Sequence, residues 1–219
     1  HADQVFTIAI GDLDEFDAYY THLFIWNAAK QEIMGAYRLG RTDQILEEFG
    51  RKGLYIHTLF KIRKKFLRKI SPALELGRSF IRPEYQKSSA LLMLWRGIGQ
   101  FIVRHAQYTT LFGAVSISND YLPESRQMLV SYLENNAFAP EYAKYVKPRN
   151  LTDFRFSSPL SAKIGSSCTS VEQLSQLISE IEPDAKGVPT LVKHYLKLGG
   201  KVLGFSLDDK HVRRTGLDY

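Results

Sequence analysis

The 219-residue chain is 44% hydrophobic and 24% charged, enough apolar material for one substantial core or a core with an appended subdomain. No run approaches the roughly eighteen apolar residues that cross a bilayer, and no charged-then-apolar secretory leader is present. The net charge of +6 is smaller than the charge of one acid-free stretch, which carries Arg51, Lys52, Lys61, Arg63, Lys64, Lys65, Arg68 and Lys69; this argues for one local anionic contact and against a nucleic-acid coat.

The chain opens on His1, as a fragment with an upstream start would, and contains no internal repeat. In chain order, residues 3–10 read as a strand and 12–20 as an acidic turn. "THLFIWN" and "EIMGAYRLG" read as a hairpin, because both are rich in β-branched and aromatic residues. "GLYIHTLF" reads as a further strand. "KIRKKFLRKI" reads as a short basic helix with Ile62, Phe66 and Ile70 on one stripe.

"ALELGRSFI" is the next strand. Residues 88–105 form the clearest helix, with Ser88 as its cap and Leu91, Trp95 and Phe101 as a core stripe. "YTTLFGAVSI" suits a strand buried on both faces, parallel to its predecessor across the helix. Helices are expected at 122–136, 171–181 and 188–198, and a closing strand at "KVLGFSL"; 139–167 reads as an irregular insertion. The sum is a mixed α/β fold in a single domain over 1–219, with a core at about 14–138 and C-terminal helices and closing strand at about 168–208.

The lone Cys168 excludes an internal disulfide framework and fits a reducing cytosol; in "GSSCTS" it reads as a small Ser/Thr-like position. The six histidines have no metal-ligand spacing, and no Gly-x-Ser-x-Gly elbow occurs. The informative stretch is 74–99, where Glu75 and Arg78 lie inside an apolar strand that ends on a turn feeding a helix N-terminus. Such a turn offers free N–H groups and the positive helix end to a phosphate. Gln86, Lys87, Ser88, Ser89 and Ala90 supply donors and small residues there. Glu75 and Arg78 face opposite sides of a flat strand, and a bulge at Gly77 would bring both to one pocket. Otherwise they form a structural ion pair.

"IRPEYQKSSALLML" resembles the acyl-donor motif of the Gcn5-related N-acetyltransferase (GNAT) fold, with Ser88-Ser89-Ala90 where that fold is usually Gly-rich. The resemblance implies a mostly antiparallel central sheet flanked by helices. It also implies that the backbone of Ser79, Phe80, Ile81 and Arg82 pairs with a pantetheine arm whose phosphate meets Gln86–Ala90. The departure suits a donor with one phosphate, acyl carrier protein, better than CoA. "ELGRSFI", "DEFD" and "GAYRL" resemble acyl-homoserine-lactone synthases, which implies that Asp14, Asp17, Arg38 and Arg78 line the amine side and that Glu75 is the base.

"GAYRL", "ELGRS", "LFG" and "YLKLGGKVLG" together are similar to the hemolysin-like and ornithine-lipid N-acyltransferases. The expectation is therefore an N-acyltransferase moving a long acyl group from acyl carrier protein to an amino acid or similar amine. Its product would be a lyso-aminolipid, and no cofactor would be permanently bound. The alternatives are an acetyl-CoA-dependent N-acetyltransferase and a catalytically decayed membrane-surface module. For Lys61, Arg63, Lys64, Lys65, Arg68 and Lys69, the acidic face of acyl carrier protein and an anionic membrane surface both fit. The expected location is cytoplasmic, with a peripheral place on the inner membrane face compatible with a lipid product.

Overall fold

The computed structural model describes residues 13–86, 88–150 and 159–206. Strands β1 (Thr21–Asn27) and β2 (Glu32–Arg41) form the expected hairpin. Then follow α1 (Thr42–Glu48), α2 (Ile56–Leu59), β3 (Phe60–Ile62), α3 (Lys64–Ile70), β4 (Ala73–Ile81), α4 (Ala90–Arg104) and β5 (Thr110–Gly113). The chain continues through α5 (Pro123–Asn136), α6 (Pro140–Ala143), β6 (Val146–Pro148), α7 (Pro159–Ser167), α8 (Val171–Ile181) and α9 (Thr190–Lys197). It forms two compact units, one taking the chain up to Thr58 together with Leu67–Ala114, the other Leu59–Phe66 and the chain from Val115 on.

In the first unit a four-stranded sheet runs β1-β2-β4-β5. β1–β2 and β2–β4 are antiparallel, and only β4–β5 is parallel, across the α4 connection. α4 buries Ala90, Leu94 and Ile98, one stripe at helical spacing. A Cβ on Gly97 would stand 3.0 Å from a Leu23 methyl, so the helix lies close on β1. The expected stripe of Leu91, Trp95 and Phe101 is only half-buried, one position off the true core line. The N-cap is Ser89 without a side-chain cap bond; the Ser88 hydroxyl instead accepts from the Ala90 N–H at 3.1 Å.

The second unit is built on α5, α7, α8 and α9, around Met128, Leu129, Tyr132, Leu133, Cys168, Val171, Leu174, Ile178 and Val192. The stretch 139–167 is not irregular throughout: it holds α6, β6 and α7. α7 escaped the hydrophobic pattern because it packs through small residues, Ser161 and Gly165, and a Cβ at Gly165 would lie 2.2 Å from the Met128 carbonyl oxygen. The expected closing strand reduces, among the described residues, to one parallel bridge between Val202 and Phe138. β5 is also shorter than expected and alternates half-buried with exposed residues instead of being covered on both faces.

"GLYIHTLF" is not a strand. The Tyr55 and Ile56 N–H groups bond to the Tyr20 hydroxyl (2.9 Å) and to Glu75 (2.6 Å), so no neighbouring strand receives them, and only Phe60–Ile62 pairs, with β6. α3 takes only Lys64–Ile70 of the helix expected at 61–70, because Lys61 and Ile62 belong to β3; Ile62, Phe66 and Ile70 are nevertheless buried, and all six basic residues of 61–69 are exposed. No described helix is long and apolar enough to cross a membrane. Residues 3–10, Lys87 and the chain from 207 on lie outside the described residues.

Candidate active site

The site grows from an irregularity in β4. Tyr37 pairs with Ser79 and Arg38 with Gly77, so Arg78 stands unopposed as a bulge. Arg78 carries the cost of the bulge at φ 30°, a left-handed backbone that a side chain rarely adopts; the neighbouring glycine does not take it. With one residue extruded, the side chains of Glu75 and Arg78 no longer alternate away from each other.

Glu75 is fully buried. Its Oε2 accepts from the Tyr20 hydroxyl at 2.6 Å and its Oε1 from the Ile56 N–H at 2.6 Å. Burial pushes the carboxyl up to about 7, against the opposing pull of those hydrogen bonds and of the Arg38 charge. Burial and the neighbouring Glu75 raise the Tyr20 phenol in turn. Tyr20 thus links Glu75 to the Tyr55 N–H, and the pair fixes residues 54–56 above the strand.

Arg38 does not reach into solvent, because β2 is an interior strand and its side chain is 2% exposed. The guanidinium lies 5.0, 5.3 and 5.6 Å from the ring centres of Tyr20, Tyr55 and Phe16. Its Nη1 donates to Asp14 at 2.6 Å and to Asp17 at 2.9 Å. Burial opposes its charge, but the two carboxylates outweigh this and hold the guanidinium protonated. Arg38 Nε and Nη2 have no hydrogen-bond partner among the described residues.

The two acids are themselves fixed. Asp14 caps the 3-10 turn Glu15–Ala18 by accepting from the Phe16 N–H at 3.0 Å, and Asp17 accepts from the Asp14 N–H at 2.8 Å. Burial works against ionised Asp17, yet the Asp14 N–H and the Arg38 and Arg78 charges keep its carboxyl below the ordinary value. Arg78 Nη1 approaches Asp14 at 3.4 Å and Asp17 at 4.0 Å, and with a side chain 42% exposed it is the cation of the cluster that meets solvent. Asp14, Asp17, Arg38, Glu75 and Arg78 therefore come together.

The residues expected to meet the acyl donor lie further along the same strand. β5 accompanies β4 only from Ala73 to Leu76, so the edge of Ser79, Phe80 and Ile81 away from β2 has no strand partner among the described residues. The turn beyond is pinned: Arg82 donates to Glu32 at 2.6 Å, the Tyr85 hydroxyl to the other Glu32 oxygen at 2.5 Å, and Asn27 to Tyr85 at 2.9 Å. The Tyr85 hydrogen bond and the Arg82 guanidinium hold the Glu32 carboxyl below its ordinary value. The Arg82 N–H bonds to the Met34 carbonyl at 2.9 Å. Gln86, Ser88, Ser89 and Ala90 follow, with Ser88 donating to the Tyr85 carbonyl at 2.6 Å. Sequence reasoning missed Tyr20, Glu32 and Tyr85. Tyr20 is 55 residues from Glu75 and Tyr85 is 53 from Glu32, and no local spacing signals such pairs.

An acetyltransferase (GNAT) domain matches residues 7–96, the span holding the hairpin, the bulge and the turn before α4. The chain is 26% identical over 224 positions to a glycine N(alpha)-acyltransferase of Phocaeicola vulgatus, covering 94% of this chain and 68% of that protein. It is 29% identical to the protein of the same name from Bacteroides thetaiotaomicron, covering 94% of this chain and 65% of the relative. It is 31% identical over 198 positions to an L-ornithine N(alpha)-acyltransferase of Rhodobacter capsulatus, covering 87% of this chain and 66% of the relative. The chain thus spans about two thirds of the length of these relatives. No solved structure matches it.

Proposed function

Because the chain belongs to the GNAT N-acyltransferase group that includes the glycine and ornithine enzymes, we propose that it moves a long acyl group from acyl carrier protein to the α-amine of an amino acid, giving a lyso-aminolipid. The observation that carries this is the β4 bulge. It puts the cluster of Arg78, Asp14, Asp17, Arg38 and Glu75 beside a strand edge that has no strand partner among the described residues, which supports a donor arm pairing there.

The arm pairs with the backbone of Ser79, Phe80, Ile81 and Arg82, and its single phosphate meets the turn from Gln86 to Ala90, Lys87 included. Glu32 and Tyr85 act behind that turn by holding Arg82, so the donor track is formed before the donor arrives. Arg78 grips the acceptor carboxylate with its planar fork. Arg38, already held by two acids, serves as a second clamp through its unpartnered nitrogens or as the anchor that aims Asp14 and Asp17.

The acceptor arrives as an ammonium and must lose a proton before its nitrogen attacks. Glu75, raised to about 7, is matched to that step. Since both its oxygens are engaged, the route inward for the proton runs along the hydrogen bond of the Tyr20 hydroxyl. The nitrogen attacks the thioester carbon, the C–N bond forms and the C–S bond breaks, and the second proton that the nitrogen loses on becoming an amide goes to the departing pantetheine thiolate, giving the thiol.

The basic residues Lys61, Arg63, Lys64, Lys65, Arg68 and Lys69, all exposed, attract the acidic carrier protein or an anionic membrane surface. The proposed place of action is the cytoplasm, at the inner membrane face. The test is incubation with long-chain acyl carrier protein and with acetyl-CoA in parallel, against a panel of amino acids, reading products by mass. An N-acyl amino acid formed from the carrier protein is the expected result. An N-acetyl product made from acetyl-CoA alone overturns the donor assignment.

A further inference from the structure

The sheet face that carries the polar cluster changes character one step along β1, β2 and β4. On β1 the exposed residues run His22, Phe24, Trp26; on β4 Arg78 is followed by Phe80 on that face; on β2 Arg38 gives way to Ala36. The register places Phe24 opposite Ala36 and Ala36 opposite Phe80, so these three side chains form one row across three neighbouring strands. Phe24 and Phe80 are 54% and 52% exposed, and Trp26 is 39% exposed. The opposite face of the sheet is the one covered by α4, where Leu23 meets Gly97 and Tyr37 meets Trp95.

Two phenylalanines two strand spacings apart, about 10 Å, with an alanine between them make walls and a floor. The trough lies over β2. At one end it meets the level of Arg38, His22 and Arg78, and at the other it passes Trp26. Exposed aromatics on one face of a sheet are costly in water unless something apolar lies on them. The occupant is set by what adjoins them: an ionic cluster at one end and no charged side chain in the Phe24–Ala36–Phe80 row.

We propose that this trough is the track of the donor's alkyl chain, with the thioester carbon at the Arg78 level and the chain running over Ala36 between Phe24 and Phe80 toward Trp26, and that Ala36 sets the accepted chain length. The proposal rests on the acyl-transfer reading above. It explains what that reading leaves open, namely how a long chain is distinguished from an acetyl group.

The chain's two tryptophans lie on opposite faces, which gives a direct test. A palmitoyl-pantetheine brominated near the end of its chain should quench Trp26 fluorescence saturably in the Trp95→Phe protein and leave Trp95 bright in the Trp26→Phe protein. Quenching of Trp95 instead, or of neither, overturns the track whether or not the protein turns over. In the activity arm, Ala36→Leu should lower the ratio of kcat/KM for a sixteen-carbon over a four-carbon donor about tenfold, the burial lost by roughly two methylenes. An unchanged ratio overturns the length-setting role. Loss of binding to anionic phospholipid vesicles in the Phe24→Ala, Phe80→Ala double variant, with the chain-length ratio intact, would make the face a membrane contact and also overturn the proposal. Absence of turnover with every donor length, with Trp26 still quenched, would refute the function and leave the track standing.

Discussion

Replacing Glu75 by Gln keeps the volume and both hydrogen bonds of a fully buried side chain: the amide oxygen accepts from the Ile56 N–H and the amide N–H₂ donates to Tyr20. What it removes is the titration. A carboxyl held at about 7 in the folded chain, against an ordinary 4.5, binds its proton more tightly folded than unfolded. Its contribution to stability is therefore fully present below the unfolded value and is lost as pH rises through about 7. Linkage between those values predicts that the wild-type chain loses about 2 to 3 kcal/mol between about pH 5 and about pH 8 that Glu75→Gln does not lose. Urea unfolding of both proteins at the two pH values measures the difference directly. If Glu75 is also the base, Glu75→Gln lowers kcat/KM by roughly 10²–10⁴. The wild-type profile then rises through about pH 7, and the variant's is flat there. Parallel pH-stability curves would refute the raised carboxyl. A parallel kcat/KM in a folded variant would make Glu75 a strut for residues 54–56 and nothing more.

Arg78→Lys, at a side chain 42% exposed, should fold normally and raise the KM for an amino acid about tenfold, because a point charge replaces a fork; a carboxylate-free amine acylated as well as an amino acid would refute the clamp. Reversing Lys64, Lys65 and Arg68 to Glu should raise the KM for acyl carrier protein far more than that for a small thioester, with an effect that fades as salt rises; equal losses for both donors would assign α3 to the fold alone. Gly165→Ala puts a Cβ 2.2 Å from the Met128 carbonyl oxygen, and urea unfolding should show a loss of about 1–3 kcal/mol, typical of overpacking; unchanged stability would mean that α5 and α7 separate freely.

The amino-acid sequence by itself determined the hairpin, the β4-turn-α4 unit, its parallel partner β5, and helices α3, α5 and α8. In each of these, turn residues, β-branched and aromatic runs or a 3.6-residue apolar period mark the element's type and place, and that information is local; which face is covered departs from that reading in α4 and β5, because it depends on what packs there. It also marked Glu75 and Arg78 as misplaced in an apolar strand. Tertiary structure decided the rest, because a buried polar group is satisfied by whatever the fold brings to it. Glu75 takes Tyr20 from 55 residues away and the Ile56 N–H from 19, and those bonds turn "GLYIHTLF" from a strand into a loop and short helix. Arg38 is buried and paired with Asp14 and Asp17 because β2 is an interior strand, a fact of strand order that the hairpin sequence does not contain. The left-handed residue of the bulge is Arg78 and not Gly77, since the register between β2 and β4 chooses which residue is extruded. α7 formed without an apolar stripe because its packing depends on the absence of side-chain atoms at Gly165, visible only once Met128 lies against it.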